Sequence, residues 1–324
     1  MLLGLIGCGL VGRKRAGALA GHQLVVCADV VPELASALAS EQPGCEALAS
    51  ADDVLQADVE LVLVCTTNDA LAPLTLAALE AGKHVLVEKP GGRSLADVER
   101  MQAASARYGR AVRVGFNHRY HPGLQQAHEL FVQGALGELM YIRGRYGHGG
   151  RVGYETEWRA NKERAGGGEL LDQGSHLIDL ARWFAGDFSR IDGHVSTSFW
   201  PMEVEDNAFM SLRTASGATA WLHASWTEWK NLFCFEVFGR TGKLQVDGLG
   251  GSYGPERLTW YRMLPEMGPP EVTVYEYAAE DGSWAAELAA FTAALQRDPA
   301  SAGNLADAAA VFLVAERLYG EPAR

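Results

Sequence analysis

The stretch Leu2–Leu19, LLGLIGCGLVGRKRAGAL, constrains the fold of this chain more than any other. It sets Gly7, Gly9 and Gly12 as G-x-G-x-x-G between a short apolar run and a helical pattern. The first glycine of such a turn permits a sharp bend, the second lets backbone approach a pyrophosphate, and the third lets the helix pack closely on the strand. The pattern alone is weak, but its context is favourable, because Asp29 closes the next apolar run 22 positions after Gly7. A carboxylate there accepts hydrogen bonds from both ribose hydroxyls of NAD and repels a 2′-phosphate. NAD is therefore the expected cofactor, held at Gly7, Gly9, Leu10, Val11, Gly12 and Asp29. Arg13 and Lys14 lie nearby and are basic, which keeps NADP open as an alternative.

From Met1 to about Gly115 short apolar runs (LVVCADV, VELVLVCTT, KHVLVEKP, AVRVGF) alternate with helical stretches rich in Ala and Leu. Such strands are buried on both faces, so this half reads as a doubly wound parallel sheet, a Rossmann fold over residues 1–118. Beyond Ile191 the texture changes. IDGHVSTSFW, NAFMSLRT, ATAWLHASWT, LFCFEVFGR, GKLQVDG, RLTWYRM and EVTVYEY alternate in polarity and are separated by glycine turns. Residues 119–324 are expected to form an α+β domain with a large, mostly antiparallel open sheet, closed by helices near Trp284–Gln296 and Asn304–Tyr319.

Composition narrows the function. A formal charge of −12 over 324 residues supplies no broad basic surface, so nucleic acid and anionic membranes are poor partners. No apolar run reaches the roughly 20 residues a spanning helix needs. Cys8, Cys27, Cys45, Cys65 and Cys234 are scattered without a CxxC pair, which points to reduced thiols in a cytoplasmic protein and to no metal site.

Two further motifs carry chemistry. HVLVEKPGG ends a buried strand with Glu88 and Lys89, at the strand end where open α/β sheets take ligands; a strand-ending ion pair is the equal alternative. GGGELLDQGSHLIDLARWF, Gly166–Phe184, runs three glycines into a helix with Asp172 and His176 one turn apart. On their own these two residues are as well explained by an exposed i,i+4 pair as by a reaction centre.

Together the Gly7 fingerprint, EAGKHVLVEKP and GGGELLDQGSHLID resemble the glucose-fructose oxidoreductase, inositol dehydrogenase and rhizopine-catabolism family over essentially the whole chain. The resemblance implies an NAD(P)-dependent oxidoreductase acting on a hydroxyl or ketone of a sugar, cyclitol, uronate or sugar nucleotide. It implies that Lys89, Asp172 and His176 are catalytic and touch substrate. His176 suits the role of base, since imidazole titrates near neutrality, and Lys89 that of stabilising charge on the reacting oxygen. Thr66, Thr67, Asn68, Glu88, Lys89 and Asn117 are implied to join the cofactor site, and Arg119 the substrate. The family often has T-P-N-x-x-H where this chain has CTTNDAL, with Thr67 and Leu71 in the proline and histidine positions, which weakens the transfer for that loop. Gly166–Gly168 are expected to let backbone approach cofactor and substrate. Asp179 shares the polar face without an assigned role. A relative that uses NAD only for transient oxidation, in elimination or glycosidic cleavage, and a dinucleotide-binding regulator are the alternative functions.

Arg143–Arg164 carries six Lys or Arg against three Glu, with five glycines. It reads either as a mobile loop that binds an anionic sugar through Arg159, with Tyr146, Tyr154 and Trp158 stacking on the ring, or as a solvated loop. On ATAWLHASWTEWKN, Trp221 and Trp229 fall on one side and Trp226 on the other. That aromatic face is expected to pair copies into a homodimer or homotetramer.

Overall fold

The computed structural model describes residues 1–277 and 280–320. The first half alternates strand and helix: β1 Leu2–Ile6, α1 Leu10–Ala16, β2 Gln23–Ala28, α2 Pro32–Glu41, β3 Glu46–Ala47, α3 Ala51–Gln56, β4 Leu61–Val64, α4 Asn68–Glu80, β5 His84–Glu88, α5 Leu95–Tyr108 and β6 Val112–Gly115. The second continues with α6 Pro122–Val132, β7 Leu139–Gly147, a single turn α7 Lys162–Ala165, α8 Glu169–Ala185, β8 Phe188–Ser196, β9 Asn207–Thr214, β10 Thr219–Ser225, β11 Leu232–Gly239, β12 Gly242–Asp247, β13 Arg257–Arg262 and β14 Glu271–Glu276. Helices α9 Ser283–Arg297 and α10 Leu305–Tyr319 follow.

The chain forms two compact units. The first comprises Met1–Phe116, Glu163–Gly166 and Trp284–Ala309, so it is discontinuous, whereas the sequence reading put a single break after residue 118. Its six strands lie in the order β3-β2-β1-β4-β5-β6 with every pair parallel. β4 is buried at all four residues and β5 at four of five, as the apolar runs require. The order reverses between β1 and β4, and the Gly7 turn leaves β1 at that switch point. Leu288, Phe291 and Leu295 of α9 join the core made by Leu3, Leu5, Leu61, Leu63 and Leu86. Two-residue β3 had no sequence signal, being short and half polar.

The second unit comprises Asn117–Lys162, Gly167–Ser283 and the described residues from Ala310. Its sheet has the order β14-β13-β12-β11-β7-β10-β9-β8 and is antiparallel except where β7 and β10 run parallel. Helix α8 covers β7, β9 and β10, and α6 packs on β12 and β13. Trp221 is 66% exposed on the other face. β10 ends at Ser225, so exposed Trp229 belongs to the turn beyond it, while Trp226 is buried. Among the described residues no helix is long and apolar enough to cross a membrane.

Candidate active site

In the first unit, the fingerprint is built by contacts that exclude side chains. Gly7 takes φ +96°, and a Cβ there would lie 2.4 Å from the Cys65 carbonyl oxygen. A Cβ on Gly12 would lie 2.0 Å from the Gly7 carbonyl oxygen, so α1 starts hard against β1. Gly9 differs: nothing stands within 4 Å of its Cβ position, which leaves the approach to its backbone open. Asp29 receives the Cys8 amide at 2.6 Å and the Val31 amide at 2.9 Å, so its carboxylate is fixed beside the turn with lone pairs to spare. Leu10 and Val30 are exposed on either side of it, at 74% and 99%. Arg13 is paired with Glu41 at 2.5 Å. This donor set, open over Gly9 with an anchored carboxylate, fits NAD.

The strand β5 ends in a different arrangement from a row of free polar groups. Glu88 is buried and its Oε1 accepts from Arg15 Nε at 2.6 Å, so the carboxylate expected among cofactor ligands is engaged in the strand-ending ion pair. The Gly91 amide donates to the Glu88 carbonyl at 3.0 Å and closes a turn whose second residue is Lys89. After β4, Thr66 Oγ1 donates to the Thr67 carbonyl and Thr67 Oγ1 to Asp69. Asn68 is buried and its amide donates to the Ala165 carbonyl at 2.9 Å, so it braces the approach to Gly166 within the same unit.

In the second unit, α8 holds both residues singled out in Gly166–Phe184. Leu170, Leu171, Leu177, Ile178 and Leu180 are each at most 1% exposed, which fixes the rotation of the helix. His176 is 5% exposed, and its ring stacks on His118 at 3.7 Å between centroids with a 20° interplanar angle. Asp172, partly exposed one turn earlier, lies 3.6 Å from Arg159. Gln173 donates to the Tyr253 hydroxyl at 2.9 Å. Burial, with Glu169 and Asp172 close by, holds the Tyr146 and Tyr253 phenols well above their ordinary pKa, so both stay protonated at neutral pH. Asp179, which carried no assigned role, takes a bidentate pair from Arg119 at 2.8 and 2.5 Å. The Arg119 guanidinium, expected on substrate, thus places two of its donors on a buried carboxylate. Asn117 donates to Ser283 at 2.8 Å and shares its oxygen with His118.

The basic segment is more ordered than its glycines suggest. Its start completes β7, and 3-10 turns form at Tyr154–Thr156 and Trp158–Ala160. Arg143 pairs with Glu236, Arg151 with Glu157, and Arg159 with Asp172 and Glu157. Tyr154 is 3% exposed, edge-on to Trp226 at 5.1 Å and to Trp200 at 5.8 Å, and Tyr146 is 8% exposed among His118, Phe233 and Tyr253. Neither ring presents a face for stacking on a sugar; an aromatic this large is drawn into the nearest core. Trp158 carries the Arg159 guanidinium 4.6 Å over its ring.

Residues 1–116 match the model for an oxidoreductase family with an NAD-binding Rossmann fold, and residues 124–245 match the GFO/IDH/MocA C-terminal domain. The 1,5-anhydro-D-fructose reductase of Ensifer adhaerens is 31% identical over 250 residues, 74% of each chain. The chain belongs to the GFO/IDH/MocA family. This family member is thus an NAD-binding oxidoreductase. Levoglucosan dehydrogenase of Pseudarthrobacter phenanthrenivorans is 28% identical over 284 residues, 75% of this chain and 72% of the relative. A levoglucosan dehydrogenase structure in complex with NADH and levoglucosan has the same fold, with a TM-score of 0.88 and 24% identity over 99% of this chain and 96% of that one. Arg15, Glu205, Tyr253 and Glu287 make contacts here that no sequence motif announced, and His118, a histidine expected to be structural, stacks on His176. Only Glu88 carried a signal, since a carboxylate ending a fully apolar strand demands a cation nearby.

Proposed function

We propose that this family member oxidises a secondary hydroxyl of an uncharged sugar or cyclitol, or reduces the corresponding ketone. The observation that carries the reading is the buried His176 imidazole, stacked on a second ring and one turn from a carboxylate, in a chain that retains the cofactor fingerprint. NAD, when bound, supplies the hydride acceptor. His176 takes the hydroxyl proton, Lys89 donates a hydrogen bond to the same oxygen, and Asp172, steadied by Arg159, orients the substrate or the protonated ring. Two observations favour an uncharged substrate over a uronate or sugar nucleotide. Arg143, Arg151 and Arg159 all stand within ion-pair distance of a carboxylate. The relatives are named for levoglucosan and 1,5-anhydro-D-fructose, both uncharged.

The test is a panel of anhydro-sugars, aldoses, inositols, uronates and sugar nucleotides incubated with NAD or NADP, followed by absorbance of reduced cofactor. Net NADH formation with an uncharged member is expected. Lys89→Ala and His176→Ala are expected to lower kcat by about 100-fold or more, with NADH binding retained in the His176 variant. Turnover at the wild-type rate in both variants would exclude the assigned roles.

The open face of the eight-stranded sheet is proposed as the contact between copies of this chain. His194, Phe209 and His223 stack in sequence across three strands, at 4.9 and 4.3 Å. The three rings line a cavity of about 680 Å³ together with Arg143, Trp221 and Glu236 among others. Both charge signs and exposed aromatics on one face suit a self-complementary surface.

A further inference from the structure

Arg15 is an unusual residue to find 1% exposed on the first helix after a cofactor turn. Its Nε donates to Glu88 at 2.6 Å and its Nη1 to Glu287 on α9 at 2.7 Å, while the guanidinium carbon lies 4.5 Å from the centre of the Trp284 ring. Room for the fork exists because residue 115 is glycine: a Cβ there would stand 2.5 Å from Arg15 Nη2 and 3.2 Å from Glu88 Oε1. The guanidinium therefore joins three segments of the first unit that are far apart in the chain: the helix opened by the fingerprint, the strand end that carries the E-K-P turn, and α9.

We propose that Arg15 and Glu287 are positioning residues, holding the Glu88 side chain so that the turn bearing Lys89 keeps one orientation relative to the cofactor turn. This rests on the reading of Lys89 as a catalytic group. The geometry supports it: Glu88 precedes Lys89 directly, and its carbonyl closes the turn around it. Burial opposes the charge on Arg15, and the two carboxylates outweigh that effect and hold it firmly protonated. Glu287 is the member that titrates. Burial pushes its carboxyl up to about 7, against the pull of Arg15 and Arg113 and with the repulsion of Glu88. The ionisable groups around the cluster are Arg15 and Lys14 from α1, Cys65 after β4, Glu88 and Lys89 at the end of β5, and Arg113 from β6. With Glu287 protonated the Arg15–Glu88–Glu287 triad is neutral; with it ionised, the triad carries one negative charge.

The experiment is carbon NMR of full-length protein whose lysines are reductively dimethylated with labelled formaldehyde, which keeps their charge; Lys89→Arg assigns the Lys89 signal. Wild type is expected to show a step in that signal near neutral pH, and Glu287→Gln to lose the step while keeping the low-pH signal position and the low-pH melting temperature. Arg15→Met is expected to displace the signal and weaken NADH binding about tenfold, with Arg15→Lys restoring part of both. An unchanged step in Glu287→Gln would overturn the proposal. So would an Arg15→Met protein that melts earlier but keeps the wild-type Lys89 signal and NADH affinity. If Arg15→Met does not fold, the Glu287→Gln titration decides alone. Failure of the catalytic reading would appear separately, as wild-type turnover in Lys89→Ala.

Discussion

A side chain on Gly168 would have to occupy space held by the Glu205 carbonyl oxygen, 2.0 Å from the Cβ position, and one on Gly167 would meet the Tyr319 hydroxyl at 2.0 Å. Gly166 adds φ +80° and a Cβ position 2.8 Å from Arg93 Cβ. The glycine triplet is thus explained by protein packing, where the sequence suggested room for ligands. Gly168→Ala is expected to cost about 1–3 kcal/mol in urea denaturation, through overpacking against backbone that cannot yield. Glu287 supplies a second residue-scale prediction. Its carboxyl sits at about 7 folded against 4.5 in an unfolded chain, so the folded protein holds a proton the unfolded chain releases. The contribution of this group to stability is fully present below pH 4.5 and is lost as pH rises through 7, a decline on the order of 3 kcal/mol. Glu287→Gln should flatten that decline; an equal slope in both proteins would show that other groups cause it.

Helix α8 shows where sequence reading succeeds and where it stops. Its apolar spacing is legible in the sequence, since Leu170, Leu171, Leu177, Ile178 and Leu180 recur at helical intervals, and all five are buried. The strands are legible too, because period-2 and fully apolar runs report burial on one or two faces. Its N-terminus was not legible. Gly168 offers no side-chain cap, and the job falls to Glu205, whose carboxylate accepts from Gly168 at 3.0 Å, Leu170 at 3.1 Å and Tyr319 at 2.8 Å. A cap arriving from 37 residues onward leaves no local pattern. Burial holds Glu205 above its ordinary pKa even with these donors. Glu205→Ala leaves them unmet in a dry site and is expected to destabilise by roughly 2–4 kcal/mol, with Tyr319→Phe costing about 1. The same limit hid Tyr253, which reaches Gln173 from 80 residues away, and the Arg119–Asp179 pair, whose members gave no sign of choosing each other over a ligand.

For the whole molecule, the open sheet sets the expected assembly. Trp221→Asp places a charge on an aromatic face without touching α8, so it should lower the oligomeric state seen by sedimentation while leaving NADH binding intact. An unchanged sedimentation coefficient would remove that face from the interface. The first unit carries a different consequence. Its core includes Leu288, Phe291 and Leu295, and the buried guanidinium of Arg15 meets Glu287, yet these arrive more than 160 residues after β6. During synthesis the nascent Rossmann strands therefore emerge long before their last covering helix, with an apolar flank exposed and Arg15 still without its Glu287 partner. A ribosome-stalled chain ending near residue 260 should remain protease-sensitive and fail to retain NADH, and resistance should appear only once α9 has left the exit tunnel. The strands of the nucleotide-binding unit are made before those of the second unit, yet this unit is expected to be among the last parts of the chain to reach a finished structure.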